Sequence, residues 1–401
     1  MNKFEHNLTQ NGFAKLLCSQ ELGADVGRVG FKFVRDMLIG ILRSRSVNLT
    51  DIAKGLKEDI RLHATHKRLS RNLDNPALAA GLSDHLLKLG AANVRSDTRL
   101  IVHLYELSKK YARKVEYLPE PGLGSDAGFK VCEILASDLD SESYTPLLAT
   151  VWSDKVPGYI SDAEEIKKAL HRVVRATGNK GMFYFDDISL HVDLLEPIIH
   201  GSDFSFIAMM QGADIDVLYH NETRSLRSIV EGVETPYGRT MFKLIPEGVS
   251  GTTKTTDIDV FIHAGAKAVK LRGCDRSLRL IALKAKNRFT GRFAMPMLTS
   301  ETNLRSRKAL MGLVESWLSI RDVVEAHQSL RDSFNPSSFR VLTYDRLQLL
   351  MTLLQGALLY KVSMMGRIPI SDHRFSLVPH HGDVNRTYLL PEQQGARQSS
   401  T

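Results

Sequence analysis

Cysteine, tryptophan and long apolar runs are scarce in this chain. Of 401 residues only Cys18, Cys132 and Cys274 are cysteine. They are too far apart for a metal-ligand spacing and odd in number for a disulfide framework, so a reduced, cytoplasmic setting is expected. The opening MNKFEHNLTQ has no apolar core, so no signal peptide is expected. The most apolar stretch, LQLLMTLLQGALLY, is short for a bilayer and contains glutamine; it predicts a buried helix and no membrane partner. Charge of neither sign is lacking. Lys and Arg number 53 against 45 Asp and Glu, a net charge of +8. That balance suits a polyanionic partner and equally suits a merely basic surface.

The residues that are present change character along the chain. Residues 1–95 have helical apolar spacing, as in FKFVRDMLIGILRSRS, and NLTDIAKGL carries a capping asparagine. The basic IRLHATHKRLSRNLDNP comes next, so 1–95 reads as a helical, helix-turn-helix-like region or as a generic helical bundle. From Thr98 the apolar period becomes two, with strands expected over 99–107, 112–118, 128–136 and 146–152. SDAEEIKKALHRVVRATG predicts a helix from a Ser161 cap to Gly178. The apolar strand KGMFYFDDIS, a helix over 189–199 and the strand FSFIAMMQG come after it. Residues 96–204 therefore read as the first part of a mixed α/β core, and 205–300 as a β-rich insertion. Residues 301–365 supply long helices over 303–332 and 343–364, and 366–401 reads as a flexible tail. Trp152 and Trp317 are expected in the core.

Three places draw chemical attention. In RLIVHLYELSKKYARKVEYLP, His103 interrupts an apolar strand, Glu106 lies three residues on, and Lys109 and Lys110 begin a basic run. Asp186 and Asp187 end the apolar strand after Lys180. A carboxylate there can hold a divalent cation, or simply cap the next helix. Arg321 and Glu325 are spaced i, i+4 on one helix, the spacing of an ordinary surface ion pair.

The order of these parts resembles the RNase H-like DDE transposases of bacterial insertion sequences, in the branch named for insertion sequence four. LIVHLYELSKKYARKVEYLP resembles the first catalytic strand, KGMFYFDDIS the second, and PMLTSE with its helix the approach to the glutamate. FNPSSFRVLTYDRLQLLMTLL resembles the stretch after the glutamate, and VNLTDIAKGLKEDIRLHATHKRLSRNL the DNA-end-binding helices. The resemblance spans about residues 45 to 360. It departs at the acids. His103 holds the first Asp position, and Ile188 stands after Asp187 where Arg-Gly is usual. In the Tyr-x2-Arg-x3-Glu-x6-Lys signature Arg321 and Glu325 fit, while Leu318 and Asp332 replace the ends and Arg331 stands beside the last.

The resemblance implies metal-dependent cleavage and transfer of DNA strands at transposon ends by a homodimer, in the cytoplasm at the nucleoid. Two Mg²⁺ (or Mn²⁺) ions would clamp the attacking and leaving oxygens, held by Asp186, Glu325 and the residue at His103, with Asp187 or Glu106 as helpers. A neutral imidazole offers one lone pair and no charge, so His103 is expected to impair the reaction. A catalytically inactive, DNA-binding derivative or repressor is therefore the alternative. Arg321 and Arg331 are expected at phosphate. Further DNA contacts are expected from Lys109 and Lys110, from the run Arg272, Arg276, Arg279, Lys284, Lys286, Arg288 and Arg292, and from Arg61, Lys67, Arg68 and Arg71.

Overall fold

The N-terminal helices form where apolar side chains recur every three or four residues. In the computed structural model α1 (Gln20–Ser44) is kinked at Gly27, where φ is 68° and ψ 171°, and after the kink it buries Phe33, Val34, Met37, Leu38 and Ile41 on one stripe. Helix α2 (Leu49–Leu56) starts at Asn48, whose side chain accepts from Thr50 N at 2.9 Å, and stops at left-handed Lys57. Helices α3 (Leu62–Asn72) and α4 (Pro76–Ala91) come next, the latter capped by Asn75 with Pro76 in its first turn. The described residues are 20–108, 114–119, 128–138, 143–186, 205–210, 215–247, 254–271, 276–287 and 291–365. They are mixed α/β, helical at both ends and β-rich between. The chain divides into two compact units, one drawn from Met1–Met182 and Val324–Pro369, the other from Phe183–Val323 and Ile370–Thr401.

In the first unit β1 (Arg99–Ser108), β2 (Gly128–Ser137) and β3 (Tyr144–Trp152) pair antiparallel in the order β3-β2-β1. Helix α5 (Asp162–Thr177) begins at Ser161, which accepts from Glu164 N, and ends at Gly178 with φ 63°, as its sequence predicts. Asp162 accepts from Lys130 Nζ, Trp152 Nε1 and Tyr159 OH, which fixes the helix to the sheet. Both tryptophans are buried.

The expected strand at 112–118 is not one over its described part. Residues 114–119 turn, with Tyr117 at φ 57°. Glu116 explains the departure: its N–H donates to Leu342 O, and its carboxylate accepts from Tyr344 N, the first residue of the last described helix.

The second unit continues from β4 (Met182–Phe185) through β5 (Ser205–Met209), β6 (Asp216–Tyr219), β7 (Glu222–Ser225), the short α6 (Leu226–Gly232), β8 (Tyr237–Glu247), β9 (Lys254–Leu271), β10 (Leu278–Asn287) and β11 (Gly291–Thr299). The strands lie in the order β4-β5-β11-β10-β9-β6-β7, with β8 also paired to β9. The single helix expected over 303–332 is two: α7 (Arg307–Leu318) and α8 (Ile320–Asp332), the latter belonging to the first unit from Val324 onward. Ser319 separates them; its N–H keeps the helical bond to Glu315 O, while its hydroxyl donates to Ser316 O, the local side-chain bonding by which serine competes with a continuing helix. The helix expected at 189–199 lies outside the described residues.

Helix α9 (Tyr344–Met365) runs through the core of the first unit, with Leu347, Leu350, Leu354, Ala357 and Leu358 buried against residues of α1 and α4. Its Gln355 donates to Leu147 O and accepts from Ala149 N, satisfying backbone groups of β3 at a register shift against β2. Among the described residues it is the one helix long and apolar enough to cross a membrane, and 78% of that stretch is buried within the protein.

Candidate functional site

β4 is a run of buried aromatics that delivers Asp186 to its end. Phe183, Tyr184 and Phe185 are buried. Tyr184 OH accepts from Ser316 Oγ at 3.0 Å, and Phe185 O accepts from Trp317 Nε1 at 2.8 Å. These bonds hold α7 against the strand, so that Arg321, in the first turn of α8, reaches Asp186. Arg321 Nε lies 3.4 Å and Nη2 3.5 Å from Asp186 Oδ1, with the carboxylate side chain 48% exposed. Contacts this long make a loose, solvated pair. Asp187 lies outside the described residues.

The first unit holds the other two expected site residues. His103 of β1 stands opposite Glu133 of β2 in register, so both side chains leave the same face. Tyr105, two residues on, stacks beside His103 at 5.4 Å and donates to Glu133 Oε1 at 3.1 Å. From α8, Arg331 Nη1 donates to Glu133 Oε2 at 2.8 Å, and His327 Nε2 lies 3.2 Å from the same oxygen. The Arg331 guanidinium covers the Tyr105 ring at 3.7 Å. A cavity of about 10 Å³ adjoins Glu133, His327 and Gln355.

This is an interior network. Glu133 is 4% exposed, Arg331 4% and His327 1%. Burial alone would raise the Glu133 carboxyl; His327, Arg331 and His103 overturn it and hold the group down at about 2. Burial takes His103 down to about 4, against the pull of Glu133. Its Nε2 is shut off from water without a hydrogen-bond partner. Burial, helped by Glu133, raises the Tyr105 phenol and keeps it a donor.

These positions correct part of the sequence reading. Arg331, expected at phosphate, is buried and committed to Glu133. Glu325 is exposed on α8, two residues from His327 and so on a different helix face; it is His327 and Arg331, spaced i, i+4, that face Glu133. The sequence reading missed Glu133, although a lone carboxylate within the apolar run FKVCEILAS was a legible signal. Among the described residues no three His, Cys, Asp or Glu side chains are grouped to hold a metal ion. A buried imidazole and a carboxylate already facing arginine are poor donors for Mg²⁺, so the residues described do not fit that ion.

The basic runs are also rearranged. Residues 278–287 of β10 keep unbroken register, which sends Arg279 to one sheet face and Lys284 to the other. One phosphate-binding face is therefore not what this run makes. Lys284 Nζ donates to Glu231 O and Val233 O at the end of α6. Lys286 and Arg292 are register partners, and Arg276 precedes the strand. On α3, Arg68 is held by Asp36 and Glu58, each at 2.7 Å, while Lys67 and Arg71 are exposed. Lys109, Lys110, Arg272 and Arg288 lie outside the described residues.

No family model matches the chain, and no curated protein matches it. Among solved structures the chain is similar to the piggyBac transposase in its synaptic complex with hairpin DNA, at TM-score 0.43 and 11% identity, over 89% of this chain and 76% of that one.

Proposed function

We propose that this chain is a transposase of the insertion-sequence DDE type that binds double-stranded transposon ends as a homodimer, with its strand-cleavage chemistry impaired at position 103. The observation that carries the reading is the contact between Asp186 and Arg321. The two are 135 residues apart, and the chain between them is the β-rich segment. Contact between the end of the Asp-terminated strand and Arg321, in the first turn of the Arg-x3-Glu helix, supports the order of parts on which the transposase resemblance rests. Arg321 presents a planar fork suited to a phosphate oxygen, at the half-exposed end of β4 beside Asp186.

The interior network around His103 favours a chain that binds DNA without cutting it. A neutral, buried imidazole beside Tyr105 and opposite Glu133 supplies no carboxylate at the position that the resemblance gives to the first acid. The test compares the native chain with His103→Asp on labelled end DNA in Mg²⁺ and in Mn²⁺. Binding by both and cutting by neither, or by His103→Asp alone, is the expected result. Cutting by the native chain overturns the impairment, and failure of both to bind duplex DNA overturns the transposase reading.

A further inference from the structure

The second unit contains a cleft that the strand-transfer reading does not use. Its volume is about 370 Å³, within the range of small-molecule sites, and Glu234, Tyr237, Lys267, Arg279, Thr302 and Arg305 contribute to its lining. The walls are tied together. Tyr237 OH donates to Arg305 O at 2.9 Å, Arg279 Nε donates to Thr302 O at 3.2 Å, and Arg307 Nη2 donates to Gly238 O at 3.0 Å. These tethers hold the segment before α7 against the start of β8 and against β10, so the cleft needs little ordering to receive a ligand. Its floor depends on a missing side chain: a Cβ at Gly265 would stand 1.9 Å from Glu234 O.

The electrostatics point to an anion. Among the described residues, Lys267, Arg279 and Arg305 form no ion pair, and Glu234 is the one carboxylate of the lining. Lys267, Arg279 and Arg305 all border the cleft, Lys267 and Arg279 from opposite faces of the β9–β10 ladder, and with Glu234 as the one carboxylate the positive balance of its lining favours a phosphate. Glu234 accepts hydrogen bonds only, and would serve a sugar hydroxyl or a base amino group. Tyr237 supplies a ring against which a base can lie.

We propose that this cleft binds a nucleotide, its phosphate toward Arg279 and Arg305 with Lys267 at the border, and its donor groups toward Glu234. The source is a free mononucleotide or one unit of a nucleic-acid strand. The inference uses residues of the second unit alone and stands apart from the strand-transfer reading.

The experiment uses the full chain in EDTA, where no metal-dependent cutting can occur. Calorimetric titration with dAMP and AMP is set beside inorganic phosphate, and a fluorescein-labelled single-stranded oligonucleotide is followed by anisotropy. Arg305→Glu and Lys267→Glu are the variants, with Lys308→Glu, an exposed cation outside the cleft, as control. Arg279 is left intact because it also holds Thr302 O. Each cleft variant is expected to weaken binding at least tenfold, with the control within twofold. Tight mononucleotide binding assigns the cleft to the free ligand; strand binding that dAMP competes assigns it to a nucleic acid. Affinity unchanged by Arg305→Glu and Lys267→Glu, absence of binding by both ligands, or nucleotide binding no tighter than phosphate overturns the proposal. Cleavage of end DNA reads the other proposal, so the two can fail separately.

Discussion

Glu133 is a carboxylate whose charge is kept by its neighbours rather than by water. Arg331 and His327 approach one oxygen, and Tyr105 donates to the other. Breaking a buried pair by removing one partner leaves the other charge stranded, at a cost of about 3–5 kcal/mol. Glu133→Gln is therefore expected to lower stability in urea unfolding by that order, and Glu133→Gln with Arg331→Met to recover part of the loss. The pH dependence has a definite sign. Glu133 is held at about 2 against 4.5 for a free group, and His103 at about 4 against 6.5. In both cases the unfolded chain binds protons that the folded chain refuses, so stability falls as pH falls. The His103 share is lost as pH falls from about 6.5 to 4, and the Glu133 share from about 4.5 to 2. Melting temperature measured from pH 7 downward should decline over both windows. His103→Leu should flatten the upper one and Glu133→Gln the lower. A native profile flat across pH 6.5 to 4 would show that His103 titrates as a solvated group.

At the scale of elements, the legible parts of the sequence are those with local rules. The Asn48 and Ser161 caps, the Gly178 stop and the apolar period of α1 each act within a few residues, so their helices stand where the pattern places them. The segment at 114–119 obeys no such rule. Its alternating pattern suits a strand, but Glu116 is claimed by Leu342 and Tyr344 from far along the chain. The candidate site divides likewise: the Asp-terminated strand is legible from its apolar run, while the role of Glu133 is not, because its partner Arg331 is 198 residues away. Close crossings are a further non-local feature. A Cβ at Gly40 would fall 2.5 Å from Ile52 Cγ2 and 2.9 Å from Ile52 O, where α1 meets α2, whereas one at Gly81 of α4 meets nothing within 4 Å. Gly40→Ala is expected to destabilise by about 1–3 kcal/mol through overpacking. Gly81→Ala should stabilise by up to about 1 kcal/mol through helix propensity. Denaturant midpoints of the two variants, made in the same unit, check both; equal shifts would mean that α1 and α2 do not cross this closely in solution.

At the scale of the whole molecule, a net charge of +8 is too small to identify a partner, and what matters is which cations remain available. Helix α3 has no acidic residue along its length. Arg68 is turned inward to Asp36 and Glu58, which leaves Lys67 and Arg71 as its exposed cations, with Arg61 exposed just before its first residue. On the proposed reading these contact phosphates of duplex DNA, and each contact releases counterions, so affinity must fall with salt. The logarithm of affinity against the logarithm of KCl concentration should be linear, with a slope that weakens by roughly 0.9 for each phosphate contact removed. Lys67→Gln with Arg71→Gln is therefore expected to reduce the slope by about 2 and the affinity at low salt, without shifting the melting temperature. Arg68→Gln should behave in the opposite way. It strips Asp36, 4% exposed, of its inter-helix partner, and so should lower the melting temperature while leaving the slope of the folded protein unchanged. Anisotropy titrations across a salt series, paired with thermal melts, separate these outcomes. An unchanged slope in the Lys67, Arg71 variant would remove α3 from the DNA-binding surface and leave the duplex contacts to other parts of the chain.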